Sequence, residues 1–237
     1  MCLSHRGCTQ QAHWEDLLDY LQDILPSSLE VLVIADREFG FPERLGYVES
    51  KGWAYAIRLK GNAYYYDPTW KQPFDWWQLN DISPRQGNRY AIADLRLGKT
   101  DLYRFQLACA WAVGSKEPWF IATNLDRPLH ALKQYARRFG CEELFSDLKK
   151  RGFNWENSRI RCPKRMARFI LALALLVFFL LALARRLRLQ QLDLELTSPS
   201  HRTRLSLFQT ARRWLLRRLA QHQLPDQLFD FHLRRFA

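Results

Sequence analysis

The first clear pattern is a helical period near the start of the chain. Between residues 12 and 25 the apolar side chains recur every three to four positions, and the run closes at Pro26. Its apolar positions are Trp14, Leu17, Leu18, Leu21, Ile24 and Leu25. We predict an amphipathic helix there.

An unbroken apolar run, residues 29–36, follows and has the length of a buried strand. It ends on Asp36, and residues 37–52 read as a loop and then a helix, before a second strand at residues 53–60. Open α/β folds place their sites at the carboxyl ends of strands, so Asp36 is a candidate site residue. Asp36 could instead cap the next helix or form an ion pair with Arg37.

Residues 61–118 differ in composition from the segments before them. They are rich in aromatic residues, turn residues and short alternating stretches, which predict β-hairpins. A further strand is predicted at residues 119–125. The aromatic residues of this region either stack on unpaired bases or form a small core of their own. They include Tyr64, Tyr65, Tyr66, Trp70, Trp76 and Trp77.

Residues 169–184 carry no charge and have arginines at both ends. A membrane span normally needs about 20 apolar residues, so this run predicts either a short span or a central helix buried on all sides. The family resemblance described below favours the buried helix. The tail at residues 191–237 is rich in Arg and Leu, with an amphipathic arrangement suited to DNA phosphates, an acidic partner or solvent. Its arginines include Arg212, Arg213, Arg217 and Arg218.

Composition narrows the class of partner. With 237 residues, of which 48% are hydrophobic, the chain can bury a core, and its net charge of +12 favours a polyanion as partner. The five cysteines are an odd number without metal-ligand spacing, which is typical of reduced thiols in a cytoplasm. The first residues hold no apolar core of a secretory signal, so we expect a cytoplasmic protein.

Further along the chain, between residues 135 and 149, four polar residues are spaced at intervals close to those of a helix. At about 100° per residue, a single helix over residues 135–149 would place Tyr135, Arg138, Glu142 and Lys149 within an arc of about 60°. The stripe could line a cleft, or it could be a solvated face stabilised by pairs such as Arg138 with Glu142.

This stripe resembles the signature Tyr-x2-Arg-x3-Glu-x6-Lys of the DDE transposases of bacterial insertion sequences, in insertion-sequence family four. The surrounding phrase EELFSDLK and the phrase ADREFG around Asp36 are also similar to the family. The resemblance implies an α/β fold with a ribonuclease-H-like catalytic core, a β-rich insertion between the second Asp and the Glu helix, and C-terminal helices. The implied ranges are 10–60 for part of the core, 61–118 for the insertion, 119–190 for the rest of the core and 191–237 for a basic helical tail.

The same resemblance implies the chemistry. Asp36 and Glu142 match the second and third catalytic carboxylates, which in the family hold two Mg²⁺ or Mn²⁺ ions for phosphodiester cleavage and strand transfer. Tyr135, Arg138 and Lys149 would bind phosphates near the transposon end. The implied partners are transposon-end DNA and a second chain, in a dimer or in a heteromer with an intact transposase. We expect no small-molecule cofactor and no association with a membrane.

The family's first Asp lies on an opening strand for which no counterpart is found before Asp36. We therefore expect an N-terminally truncated transposase whose core lacks its first strand or strands and which has little activity alone. Two alternatives stay open. One is a non-catalytic DNA-binding remnant or inhibitor, and the other is a small membrane-anchored basic protein.

Overall fold

The computed structural model describes residues 10–69, 76–99, 102–152, 158–192 and 206–222, with the side chains of residues 150–152 left out. The chain divides into two units, one ending at Gly140 and the other beginning at Cys141. Each unit is described by itself.

The first unit is a mixed α/β structure in which helices alternate with strands at the start and β-hairpins follow. The predicted helix at residues 12–25 and the predicted strands at 29–36, 53–60 and 119–125 are confirmed, with small shifts at their ends. Its elements are α1 (Gln11–Ile24), β1 (Leu32–Ala35), α2 (Pro42–Ser50), β2 (Ala54–Arg58), β3 (Tyr64–Tyr66), β4 (Trp77–Gln78), β5 (Arg89–Leu97), β6 (Tyr103–Ala110), β7 (Trp119–Thr123) and α3 (Pro128–Ala136).

The seven strands form one sheet in the order β1-β2-β7-β6-β5-β3-β4. The pair β1 and β2 is parallel, and the pairs from β2 onward are antiparallel. The strands of residues 61–118 thus continue the sheet that carries Asp36 rather than forming a second one. Among the described strands, β1 lies at one edge, so Asp36 follows an edge strand.

Strand alternation divides the side chains between two covered faces of the sheet. Helices α1 and α2 cover one face, where Trp14 and Leu45 pack with the inward side chains of the strands, such as Ile57. Helix α3 covers the other face, where Ala131 and Tyr135 pack on three strands. The strand residues under α3 are Ala56, Ala108 and Ile121. Small residues at two of these positions let the helix approach the sheet closely.

The aromatic residues of the hairpins lie in two different environments. Tyr65 is buried in the main core, whereas Tyr64 and Trp77 are exposed. Trp70 lies outside the described residues. The buried aromatic side chain thus belongs to the main core of the first unit rather than to a small core of the hairpins, and the other two face solvent.

The second unit is helical. It contains most of α4 (Phe139–Ser146), a π-helical turn at Asp147–Gly152, α5 (Pro163–Leu189) and α6 (Leu207–Ala220). Helices α5 and α6 pack together, and the side chains they bury include Leu180, Leu183 and Leu187 of α5 with Phe208, Ala211 and Trp214 of α6. The basic tail is described only as far as residue 222.

Burial of α5 on all sides, which we favoured from the sequence, is wrong for the described residues. One face of the helix is buried against α6, but Leu171, Leu175 and Phe178 are each more than 60% exposed. These three positions are four and three residues apart and so form one apolar stripe on the opposite face. By length and composition α5 could cross a membrane, a test that the core helix of a water-soluble protein also passes.

Candidate functional site

Asp36 directly follows β1, and its carboxylate shapes the turn that leaves the sheet. Its Oδ1 atom accepts a hydrogen bond from the backbone N–H of Glu38 at 3.0 Å, while the backbone N–H of Phe39 donates to the carbonyl oxygen of Asp36 at 3.0 Å. The side chain is half-buried. Within the described residues its second carboxylate oxygen has no hydrogen-bond partner.

Neither alternative role of Asp36 agrees with this geometry. Helix α2 begins only at Pro42, with Phe41 at its N-cap, so Asp36 is too far away to cap it. Arg37 forms its ion pair with Glu117, at 3.4 Å. The carboxylate of Asp36 is therefore used by the turn and not by a helix cap or by Arg37.

Further charged residues lie at the same edge of the sheet. Arg58, the last residue of β2, binds the carboxylate of Glu117 at 2.8 Å, and Lys60 binds that of Glu38 at 3.2 Å. Because β7 runs antiparallel to β2, Glu117 before β7 meets the end of β2. Patterns in the sequence do not single out these residues, although Arg58 and Lys60 lie near the end of a predicted strand and Glu38 and Glu117 lie two residues from one.

Tyr135 and Arg138 form the clearest pair among the signature residues. Tyr135 is 2% exposed, and its ring meets that of Trp119 edge-on at a centroid distance of 5.2 Å. Arg138 Nε donates a hydrogen bond to the Tyr135 hydroxyl at 3.2 Å, and the guanidinium carbon lies 5.8 Å from the centroid of the same ring. The buried tyrosine therefore positions the half-buried arginine, and direct contact of Tyr135 with a phosphate is restricted by its burial.

The single helix expected over residues 135–149 is wrong. Helix α3 ends at Ala136, a turn holds Arg137 and Arg138, α4 begins at Phe139, and the π-helical turn begins at Asp147. In the turn the N–H of Arg138 bonds to the carbonyl of Tyr135, three residues back, instead of four. The four signature residues consequently do not share one helical face.

The break has a physical cause. Tyr135 is the last side chain that α3 buries against the sheet, and no side chain of residues 136–140 is fully buried. Without burial there is little free energy to keep this segment in one continuous helix.

Glu142 and Lys149 belong to the second unit, while Asp36, Tyr135 and Arg138 belong to the first. Glu142 is exposed on α4, and Lys149 is half-buried in the π-helical turn.

Asp147 is a buried carboxylate that the sequence analysis did not single out. It is 2% exposed; its Oδ2 accepts a hydrogen bond from the Ser206 hydroxyl at 2.7 Å and its Oδ1 accepts one from Gln209 Nε2 at 2.9 Å. The Ser206 hydroxyl oxygen in turn accepts from the backbone N–H of Gln209 and so caps α6. Asp147 therefore ties the π-helical turn of Lys149 to the N-terminus of α6, where the helix dipole also favours a negative charge.

The candidate metal ligands have the right chemistry for a hard divalent cation, because Mg²⁺ and Mn²⁺ prefer carboxylate oxygens. Asp36 fits this role through the oxygen that the turn does not use. In the part of the chain that the structure describes, no three His, Cys, Asp or Glu side chains are grouped so that they could hold a metal ion.

The comparisons with known proteins give one family. A family model described as a transposase DDE domain matches residues 8–179, which is more than half of the chain and includes Asp36 and the four signature residues. No curated protein matches. The mixed sheet with helices on both faces in the first unit is consistent with the ribonuclease-H-like architecture of such a domain.

Proposed function

The chain belongs to the transposase DDE domain family, and we propose that it binds the DNA of transposon ends through Arg138 and Lys149 and holds divalent metal ions through Asp36 and Glu142. The observation that carries this proposal is the family match, because one continuous match contains the strand-end Asp36 and all four signature residues. The closer assignment to insertion-sequence family four rests on the spacing of Tyr135, Arg138, Glu142 and Lys149.

Arg138 supports the DNA-binding part of the proposal. Its guanidinium group is held by the hydroxyl of a buried tyrosine, so less side-chain entropy is lost when it binds a phosphate. Guanidinium groups bind phosphate oxygens through two parallel hydrogen bonds, which suits Arg138 to this role. Tyr135 thus acts through Arg138 rather than by touching the phosphate.

Asp36 supports the metal-binding part. The turn that follows β1 fixes one oxygen of its carboxylate, and the other oxygen is available for a cation in the described structure. When bound, Mg²⁺ or Mn²⁺ would activate the attacking water or 3′-hydroxyl and stabilise the leaving oxygen. Glu142 would supply the second carboxylate.

The resemblance assigns two of the family's three carboxylates to this chain. We therefore propose that the chain alone binds DNA but cleaves it slowly, and that its partner is a second copy in a dimer or an intact transposase in a heteromer.

Fluorescence anisotropy with a short labelled duplex, in EDTA, tests the DNA-binding part. We expect the wild-type chain to bind, Arg138→Ala and Lys149→Ala to weaken binding and to reduce its dependence on salt, and Asp36→Ala and Glu142→Ala to leave metal-free binding intact. Equal binding by wild type and Arg138→Ala would contradict this role of the arginine.

A nicking assay on supercoiled plasmid in Mn²⁺ tests the catalytic part. We expect weak nicking by the chain alone, and none by Asp36→Ala or Glu142→Ala. Rapid nicking by the purified chain would overturn the proposal of slow cleavage, and nicking that survives both substitutions would overturn the assignment of the two carboxylates.

A further inference from the structure

A β-bulge in β5 places Asp94 in a backbone conformation that side chains rarely adopt. The register of β5 with β6 shifts between Ile92 and Leu95, and Asp94 has φ 62°. A non-glycine residue in this left-handed region is uncommon, and such a conformation persists where the surroundings impose it. Bulges of this kind re-aim a side chain.

The bulge aims the carboxylate of Asp94 at two arginines. Its Oδ1 lies 2.9 Å from Arg96 Nη1 and 2.6 Å from Arg104 Nε. These ion pairs lower the pKa of Asp94, with the hydrogen bond from Arg96 as the main cause. The carboxylate therefore stays ionised at neutral pH and holds the two guanidinium groups.

Arg96 and Arg104 are directly opposite each other on β5 and β6. Like charges at such positions destabilise a strand pair, so the fold itself gains nothing from placing two arginines there. Asp94 offsets part of that repulsion. Arg104 nevertheless remains 75% exposed, so its charge is presented to solvent.

Aromatic and basic side chains extend this surface onto β3. Tyr66 is paired with Arg96 across β3 and β5, and Tyr64 lies two residues earlier and so on the same face. Lys99 Nζ lies 3.7 Å from the centroid of the Tyr64 ring, within the range of a cation–π contact. We call the surface formed by Tyr64, Tyr66, Arg96, Lys99 and Arg104 the β3–β5–β6 face.

This surface lies on the side of the sheet that α3 covers. Arg104 and Ala108 are four residues apart on β6 and therefore point to the same face, and Ala108 packs under α3 beside Tyr135. At about 3.3 Å per residue, the two positions are about 13 Å apart. The β3–β5–β6 face and the helix that leads to Arg138 thus share one side of the first unit.

We propose that the β3–β5–β6 face binds the phosphate backbone of duplex DNA, as a second contact separate from the signature residues. Arginines held in position by a carboxylate suit the bidentate recognition of phosphate, and Lys99 adds a point charge beside them. The net charge of +12 favours a polyanion over an acidic patch on a small partner. Asp94 is a positioning residue because it acts through the arginines.

The test is the binding of a random-sequence labelled duplex to the full chain in EDTA, measured by anisotropy between about 50 and 200 mM salt. The variants are Arg104→Gln, Lys99→Gln and the double variant, and the matched control is Arg85→Gln. Arg85 is exposed in the loop before β5, and its substitution removes the same charge. Because Arg104 and Lys99 are exposed, we expect all variants to fold, which a thermal melt checks.

We expect each single variant to weaken binding several-fold, and the double variant to weaken it roughly tenfold at 200 mM salt and to reduce the salt slope by about two. Arg85→Gln should bind as wild type does. The proposal is overturned if the double variant binds with the wild-type affinity and slope, or if Arg85→Gln weakens binding as much as Arg104→Gln does. Since no metal and no signature residue is altered, failure here leaves the proposed function standing.

Discussion

Arg138 Nε donates a hydrogen bond to the hydroxyl of Tyr135, three residues earlier and fully buried under the sheet-covering helix α3. The pair joins a core residue to an arginine at the turn after α3. Its geometry separates the two effects of a tyrosine substitution, because the ring packs in the core while the hydroxyl contacts the arginine.

Replacing Tyr135 by Phe should weaken DNA binding without unfolding the protein. The ring contact with Trp119 is kept, and the loss of one hydrogen bond should cost about 1 kcal/mol of stability. Tyr135→Ala should instead cost about 3–5 kcal/mol, because it leaves a cavity beneath α3. Urea unfolding gives both free energies, and anisotropy gives the affinity. A loss of affinity for Tyr135→Phe larger than that for Arg138→Ala would contradict this role and indicate that the hydroxyl itself binds DNA.

Replacing Asp147 by Ala should destabilise the second unit. The substitution leaves the half-buried Ser206 hydroxyl and the buried Gln209 side chain without the acceptor they share, and hydrogen bonds to charged groups contribute about 1.5–3 kcal/mol each. We expect a loss of roughly 2–4 kcal/mol in urea unfolding. Glu143→Ala, which removes an exposed carboxylate four residues earlier, is the matched control. An Asp147→Ala variant as stable as the control would show that the carboxylate does not hold α6.

The Asp94 ion pairs predict a dependence of stability on pH. Because Arg96 and Arg104 lower the pKa of Asp94 below its usual 3.8, the stabilisation is present above that value and is lost as the pH falls through the lowered pKa. Asn tolerates the left-handed backbone at this position, so Asp94→Asn isolates the charge. Wild type should melt at a higher temperature than Asp94→Asn at pH 7, and the difference should shrink below about pH 3.8. A difference that is the same at pH 7 and pH 3 would rule out the ion pairs as its source.

Thiol labelling should distinguish the cysteines by burial. Burial raises the pKa of the Cys109 thiol to about 12, whereas Cys141 and Cys162 are exposed. At pH 8 a maleimide should therefore modify Cys141 and Cys162 in the native protein, and Cys109 only after denaturation. Peptide mass spectrometry assigns each site. Rapid native labelling of Cys109 would contradict its place in the core between β5 and β7.

Local patterns predicted much of the first unit. The helical period around Trp14 and the apolar run before Asp36 gave α1 and β1, because both elements bury one clear set of side chains. The mixed α/β architecture and the position of Asp36 at the end of a strand could be predicted in the same way.

The remaining features depend on contacts that no local pattern contains. The break at Arg137 and Arg138 arises because α3 runs out of sheet to bury against, whereas the spacing of polar residues alone suggested one helix. The bonds from Asp147 to Ser206 and Gln209 join residues about sixty positions apart. The exposed stripe on α5 could not be anticipated, since a run of sixteen uncharged residues has the same composition on every face.

The most direct test of the central claim is isothermal titration of Mn²⁺ into the purified chain in the presence of short duplex DNA, with Asp36→Ala and Glu142→Ala beside wild type. We predict that wild type binds the metal and that either substitution abolishes or strongly weakens binding, while Glu143→Ala binds as wild type does. Metal binding that is unchanged in both Asp36→Ala and Glu142→Ala would contradict the assignment of these carboxylates as the metal ligands of a DDE domain.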